Sequence, residues 1–84
     1  MGLPTEPITL SVEQINDLNQ KLSTMRHDVN NHLSMILAAV ELVRHKPELL
    51  KRMLETLAAQ APKIGVSISG FSMEFERTLG ITRS

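Results

Sequence analysis

Apolar side chains recur through the first half of the chain in alternating steps of three and four. The row is Ile15, Leu18, Leu22, Met25, Val29, Ile36, Ala39 and Val43, with His32 falling in the same phase. That spacing is a heptad seam on one side of a helix. Leu33, Leu37, Val40 and Leu42 widen the stripe beyond a two-stranded seam, which suits a helical bundle. No glycine or proline interrupts the chain from Ser11 to Lys46, so the pattern predicts one long helix there. Ser11 and Gln14 stand where a capping box forms, and Leu10 and Ile15 fit the hydrophobic staple around it.

The segment His45-Lys46-Pro47-Glu48 reads as a turn. Proline disfavours helix in the residue before it and suits the first residue of the next helix. Arg44 and His45 end the first helix, where positive charge is favoured, and Glu48 opens the second, where negative charge is. The second helix carries Leu50, Leu54, Leu57, Ala61, Ile64, Ile68, Phe71 and Phe75, again in steps of four and three. Pro62 lies inside this row and removes a backbone hydrogen bond. The apolar phase continues unchanged across it, so a kinked but continuous helix is expected. Gly65 and Gly70 weaken that helix, and Gly80 is its stop signal.

The fold class is therefore all-α: an antiparallel two-helix hairpin. One hairpin cannot cover two wide apolar stripes, and the expected closed form is a homodimer making a four-helix bundle. The expected organisation is a flexible lead-in over residues 1–10, the hairpin over 11–80, and residues 81–84 as either a frayed tail or the start of a linker.

Composition narrows the function. Nine basic and nine acidic side chains give a formal net charge of zero, which offers no electrostatic footprint for nucleic acid or an anionic membrane. With Phe71 and Phe75 as the aromatic residues, a base-stacking platform is not expected. The absence of cysteine excludes disulfides and thiolate zinc sites. The longest apolar run, residues 35–43, is interrupted by Glu41 and is too short to span a bilayer. The first residues lack the basic and apolar regions of a signal peptide, so a cytoplasmic location is expected, including as the cytoplasmic part of a membrane-bound sensor.

The polar string His27-Asp28-Val29-Asn30-Asn31-His32-Leu33 stands out against the apolar pattern. Within the heptad, His27 points away from the seam, Asn31 lies one turn later on the same outer side, and Asp28 flanks the seam. An ordinary solvated helix face would account for each of these residues singly. The string as a whole resembles the phosphoacceptor box of bacterial sensor histidine kinases: a histidine, then an acidic residue, an asparagine or threonine four after the histidine, and often proline then leucine. His27, Asp28, Asn31 and Leu33 match, while His32 stands where proline is common. The family's dimerisation and phosphotransfer domain is a helical hairpin that dimerises into a four-helix bundle, so the resemblance spans roughly Ser11 to Leu79.

The resemblance implies that His27 accepts a phosphoryl group and relays it to an aspartate of a response-regulator receiver domain. A neutral imidazole is a good nucleophile near neutral pH. It also implies that Asp28 accepts a hydrogen bond from Nδ1–H, leaving Nε2 to attack, and that Asn31 orients a water that dephosphorylates the receiver. His32, in the seam, is expected to be structural: a polar layer satisfied across the dimer or by water. His27 and His32 are five residues apart and point in different directions, so a metal pair is not expected. No phosphate-binding loop or glycine-rich nucleotide box is present. ATP and magnesium would belong to a separate histidine-kinase ATP-binding domain, in cis or trans, and magnesium also to the receiver. The chain holds no cofactor of its own. It would be the phosphotransfer part of a kinase or a stand-alone phosphotransferase. A purely structural dimerisation hairpin and an adaptor bundle remain the competing classes, because neither needs His27.

Overall fold

The computed structural model describes residues 2–81. Helix α1 spans Val12–His45 and helix α2 spans Leu50–Leu79, joined by a single 3-10 turn at Pro47–Leu49. The two helices run antiparallel as a hairpin. Each boundary has a local cause. Ser11 accepts from the Gln14 backbone N–H at 3.0 Å, and Gln14 Oε1 accepts from the Ser11 N–H at 2.8 Å, completing the capping box. Lys46, before Pro47, leaves the helical region at φ −135° and ψ 80°, so α1 stops at His45. Pro47 opens the 3-10 turn rather than α2 itself, and the regular helix begins at Leu50.

At the other end Gly80 takes φ 70°, a left-handed conformation that favours glycine. Its N–H donates to Arg77 O, and the Ile81 N–H donates to Glu76 O at 2.8 Å, closing a Schellman motif. Residues 82–84, most of the expected tail, lie outside the described residues. α2 passes through Pro62 without a break. Pro62 is exposed, so its missing N–H lies on the solvent side of the helix.

The hairpin is long and thin, 58 × 28 × 12 Å. Its radius of gyration is 18.1 Å, against about 12 Å for a compact domain of this length. Twelve ångströms is the thickness of a single layer of helices. Among the described residues the buried ones are Ala39, 3 % exposed, and Gln60, 5 % exposed. The rest of the seam is half-buried, with Leu18, Leu22, Met25, Val29, His32, Ile36 and Val43 of α1 turned toward α2.

The α2 row that answers them differs from the sequence expectation. Met53, Leu57, Gln60, Ile64, Ser67, Phe71, Glu74 and Thr78 are buried or half-buried, again in steps of four and three. Leu57, Ile64 and Phe71 belong to both rows. Leu50, Leu54, Ala61, Ile68 and Phe75 point outward. The reason is that polar partners on α1 rotate α2: His32 meets Gln60, and Lys21 meets Glu74. The most apolar side of α2 is thereby turned partly away from α1.

At the open end of the hairpin Lys21 Nζ donates to Glu74 Oε2 at 2.9 Å and lies 2.9 Å from Asp17 Oδ2. Arg77 Nη1 adds a contact to Glu74 Oε1 at 3.2 Å. The hydrogen bond from Lys21 holds the Glu74 carboxyl below its ordinary value; desolvation opposes it, and the Arg77 charge adds a smaller lowering. Glu74 and then Asp17 raise Lys21.

Two predictions follow from these helices. Pro62→Ala restores a hydrogen bond to the Ala58 carbonyl and should raise stability by about 1–3 kcal/mol. Gly65→Ala, whose added Cβ meets nothing within 4 Å, should add roughly 0.5–1 kcal/mol. Urea unfolding measures both, and a loss of stability in Pro62→Ala would show that the proline is needed for packing.

The Lys21–Glu74 contact predicts a pH window. Glu74 is lowered in the folded state, so its contribution is complete above the ordinary value of 4.5 and disappears as pH falls through the folded pKa. Lys21 is raised, so its contribution is complete below 10.5 and is lost as pH rises through the folded pKa. The stability difference between the parent chain and Glu74→Gln should be flat near neutral pH, shrink in acid below 4.5, and shrink in high salt.

Candidate functional site

His27 stands near the middle of α1, directly opposite the seam that faces α2. Its side chain is 85 % exposed. The unbroken helix around it fixes the backbone, so the ring projects from a rigid rod rather than a loop. Asp28 is half-exposed at 50 %, and its Oδ1 lies 3.8 Å from His27 Nδ1. That is close enough for charge attraction but too long for a hydrogen bond. Nε2 of His27 has no hydrogen-bond partner among the described residues, so it is open to a reactant. Asn31, one turn further along α1, is also exposed. Arg26 precedes the histidine and is exposed on the other flank of the helix.

The two flanks of the hairpin differ. In an antiparallel pair, equivalent flanking positions of the two helices fall on the same side. On the Asp28 side a shallow open groove of about 410 Å³ runs between the helices. Met25 and Phe71 form its floor, Lys21, Asp28 and Glu74 its polar rim, and Gly70 leaves it open. His27 lies just outside this groove, on the outer face of α1. On the opposite flank stand Leu33, Val40, Leu54, Ile68 and Phe75, all exposed.

The structure brings His27 and Asp28 together and keeps Asn31 on the same side of α1. It separates His32 from them. His32 Nδ1 meets Gln60 Oε1 at 2.7 Å across the hairpin. Because an amide oxygen accepts, His32 Nδ1 carries the proton in this pair. The polar layer expected at His32 is thus closed within one hairpin, by α2. Gln60 was not singled out in the sequence. The signal was its phase, three after Leu57 and four before Ile64, which puts a polar residue into the seam level with His32. Lys21 and Glu74 were also missed: Glu74 is a polar residue in the α2 seam, three after Phe71, and Lys21 flanks the α1 seam in the phase of Asp28.

Among the described residues no group of three or more His, Cys, Asp or Glu side chains is placed to hold a metal ion. No described helix is long and apolar enough to cross a membrane. What the fold and site define is an antiparallel helical hairpin carrying an exposed histidine–aspartate pair at mid-helix. Compared with protein-family models, curated proteins and solved structures, the chain matches none.

The His32–Gln60 pair makes a prediction. His32→Leu leaves the buried Gln60 amide without its partner and should cost about 1–3 kcal/mol. Adding Gln60→Leu removes the stranded group and should recover most of that loss. Chemical denaturation of the single and double variants measures the coupling.

Proposed function

We propose that this chain is the histidine phosphotransfer and dimerisation module of a two-component signalling system, with His27 as phosphoacceptor. The observation that carries the reading is the His27 ring, 85 % exposed on a continuous helix with the Asp28 carboxylate beside its Nδ1. The sequence resemblance to the phosphoacceptor box supports it, and so does the hairpin fold. The exposed apolar flank supports the dimerisation half.

The chemistry follows from the two ring nitrogens. The Nε2 lone pair attacks the terminal phosphorus of ATP held by a separate catalytic domain. An N–P bond forms, the P–O bond to ADP breaks, and ADP leaves with the electron pair. The imidazole becomes cationic, and the Asp28 carboxylate stabilises that charge through Nδ1–H. In the second step a receiver aspartate oxygen attacks the same phosphorus. The N–P bond breaks and returns its electrons to Nε2. A mid-helix position suits both steps, because each needs a bulky domain to bring phosphorus in line with the ring. Asn31 is exposed on the side where Asp28 lies, and the resemblance gives it the role of orienting a water toward a receiver's aspartyl phosphate. A purely structural dimerisation hairpin is the second reading. The apolar flank favours it, and it makes no use of His27.

The test supplies an ATP-binding kinase domain and a receiver domain separately. His27→Gln should leave the helical content unchanged, since it removes no seam contact. It should abolish acid-labile, base-stable phosphate on this chain. Asp28→Asn should slow phosphorylation by roughly tenfold or more. Asn31→Ala should spare transfer and slow dephosphorylation of the receiver. Phosphate uptake that survives His27→Gln leaves the structural reading in its place.

A further inference from the structure

We propose that His32 is a positioning residue for the reaction at His27: on taking a proton at Nε2 it draws the Asp28 carboxylate away from the His27 ring and slows phosphoryl uptake. This rests on the phosphotransfer reading above and adds regulation of that site by proton concentration.

Nδ1 alone gives His32 its structural role. It donates to Gln60 Oε1 at 2.7 Å, which leaves a lone pair on Nε2 in the neutral ring. Nε2 has no hydrogen-bond partner among the described residues, and no unpartnered side-chain nitrogen or oxygen of theirs is sealed from solvent. A proton from water therefore reaches it. Histidine is the side chain whose charge changes near neutral pH.

Protonation creates a charge that the seam does not answer. By phase the ring's seam neighbours are Val29 and Ile36 on α1 and Leu57 and Ile64 on α2, all apolar. Gln60 Oε1 is already taken by Nδ1–H. The charged residue facing this level from α1 is Asp28, one turn earlier. From α2 it is Lys63, three after Gln60 and on the same flank as Asp28. Lys63 opposes the proton, and Asp28 attracts it.

Helix geometry decides where Asp28 turns. Adjacent residues are splayed by about 100°, and the Asp28–His27 contact is accordingly long, 3.8 Å. Residues four apart stack with Cβ atoms about 5–6 Å apart, and helical side chains lean toward the N-terminus, so His32 leans back over the turn that carries Asp28. Among the described residues Asp28 makes no ion pair with His32. A lone pair has nothing to offer a carboxylate, whereas a cationic Nε2–H does. His32 is half-buried, so the new pair is less screened than one to the exposed His27 ring. Once Asp28 has turned to His32, the cation that forms on His27 during phosphoryl uptake loses its stabilising carboxylate.

His32→Asn keeps a side-chain N–H for Gln60 and cannot take the proton. Phosphorylation of the parent and of this variant by the separate ATP-binding domain is measured across pH, and the donor domain's own pH dependence cancels in their ratio. The parent-to-variant ratio should be near one at about pH 8 and fall to roughly a fifth to a tenth at about pH 5.5. In an Asp28→Asn background the ratio should stay flat. A merely structural His32 gives a flat ratio in both. Lys63→Gln removes the opposing charge and should move the fall to higher pH.

The second readout needs no phosphate. In His27→Gln, three-bond NMR couplings across the Asp28 Cα–Cβ bond should show its rotamer changing over the same pH range. Adding His32→Asn should hold that rotamer constant. A flat parent-to-variant ratio overturns the proposal. So does a pH-dependent ratio that survives Asp28→Asn, or an Asp28 rotamer that ignores pH while His32 is present. If His32→Asn fails to fold, the Asp28 rotamer in His27→Gln decides alone. Phosphate absent from His27 at every pH, with the Asp28 rotamer still changing, sinks only the phosphotransfer reading. Phosphate uptake with a flat ratio sinks only this proposal.

Discussion

A layer 12 Å thick cannot enclose a core. Two helices side by side touch along one seam, and every side chain off that seam meets water. The near absence of buried apolar residues is therefore a consequence of the hairpin architecture rather than of weak patterning. The hairpin compensates in part with contacts that keep their worth at half-burial. The Ser11–Gln14 capping box, the Lys21–Glu74 bridge and the His32–Gln60 hydrogen bond each tie down one level of the rod. None is large alone, and exposed ion pairs typically contribute 1 kcal/mol or less. The two that cross between the helices, Lys21–Glu74 and His32–Gln60, help to fix which faces meet.

That selection has a structural consequence. Gln60 lies in the α2 seam opposite His32 of the α1 seam, and Glu74 lies there within reach of Lys21 on the flank of α1. A hairpin optimised only for apolar burial would turn α2 to bring Leu54, Ile68 and Phe75 inward. The observed rotation keeps them on the flank, where they are available to something else. Polar seam residues thus do two things: they set the register of the hairpin, and they leave an apolar stripe outside it.

The legibility of this chain in its sequence follows the same division. Helix ends were readable because their signals are local: Ser11 with Gln14, Lys46 before Pro47, Gly80 past Leu79. The α1 seam was readable because its apolar row is centred on the contact. The α2 seam was misplaced because Leu57, Ile64 and Phe71 serve both the inner and the outer row, and apolarity favoured the outer one. Periodicity alone does not weigh a pair of polar residues 28 positions apart, such as His32 and Gln60. For the site, the exposure of His27 and the nearness of Asp28 followed from heptad phase. The groove between α1 and α2 did not, because it depends on the side on which the helices leave space.

The arrangement also separates two demands that a phosphotransfer module would place on one helix. Stable self-association needs an apolar, desolvated surface, whereas phosphoryl exchange needs a histidine that large domains can approach and leave. On α1 these fall on different faces. Leu33 and Val40 occupy one flank, Asp28 the other, and His27 the outer face away from α2. Had His27 occupied the phase of His32, five residues on, its ring would be half-buried and held by Gln60. The imidazole at 32 is structural and the imidazole at 27 is free for the same geometric reason: five residues turn a helix by about 140°, enough to carry a side chain from the outer face into the seam.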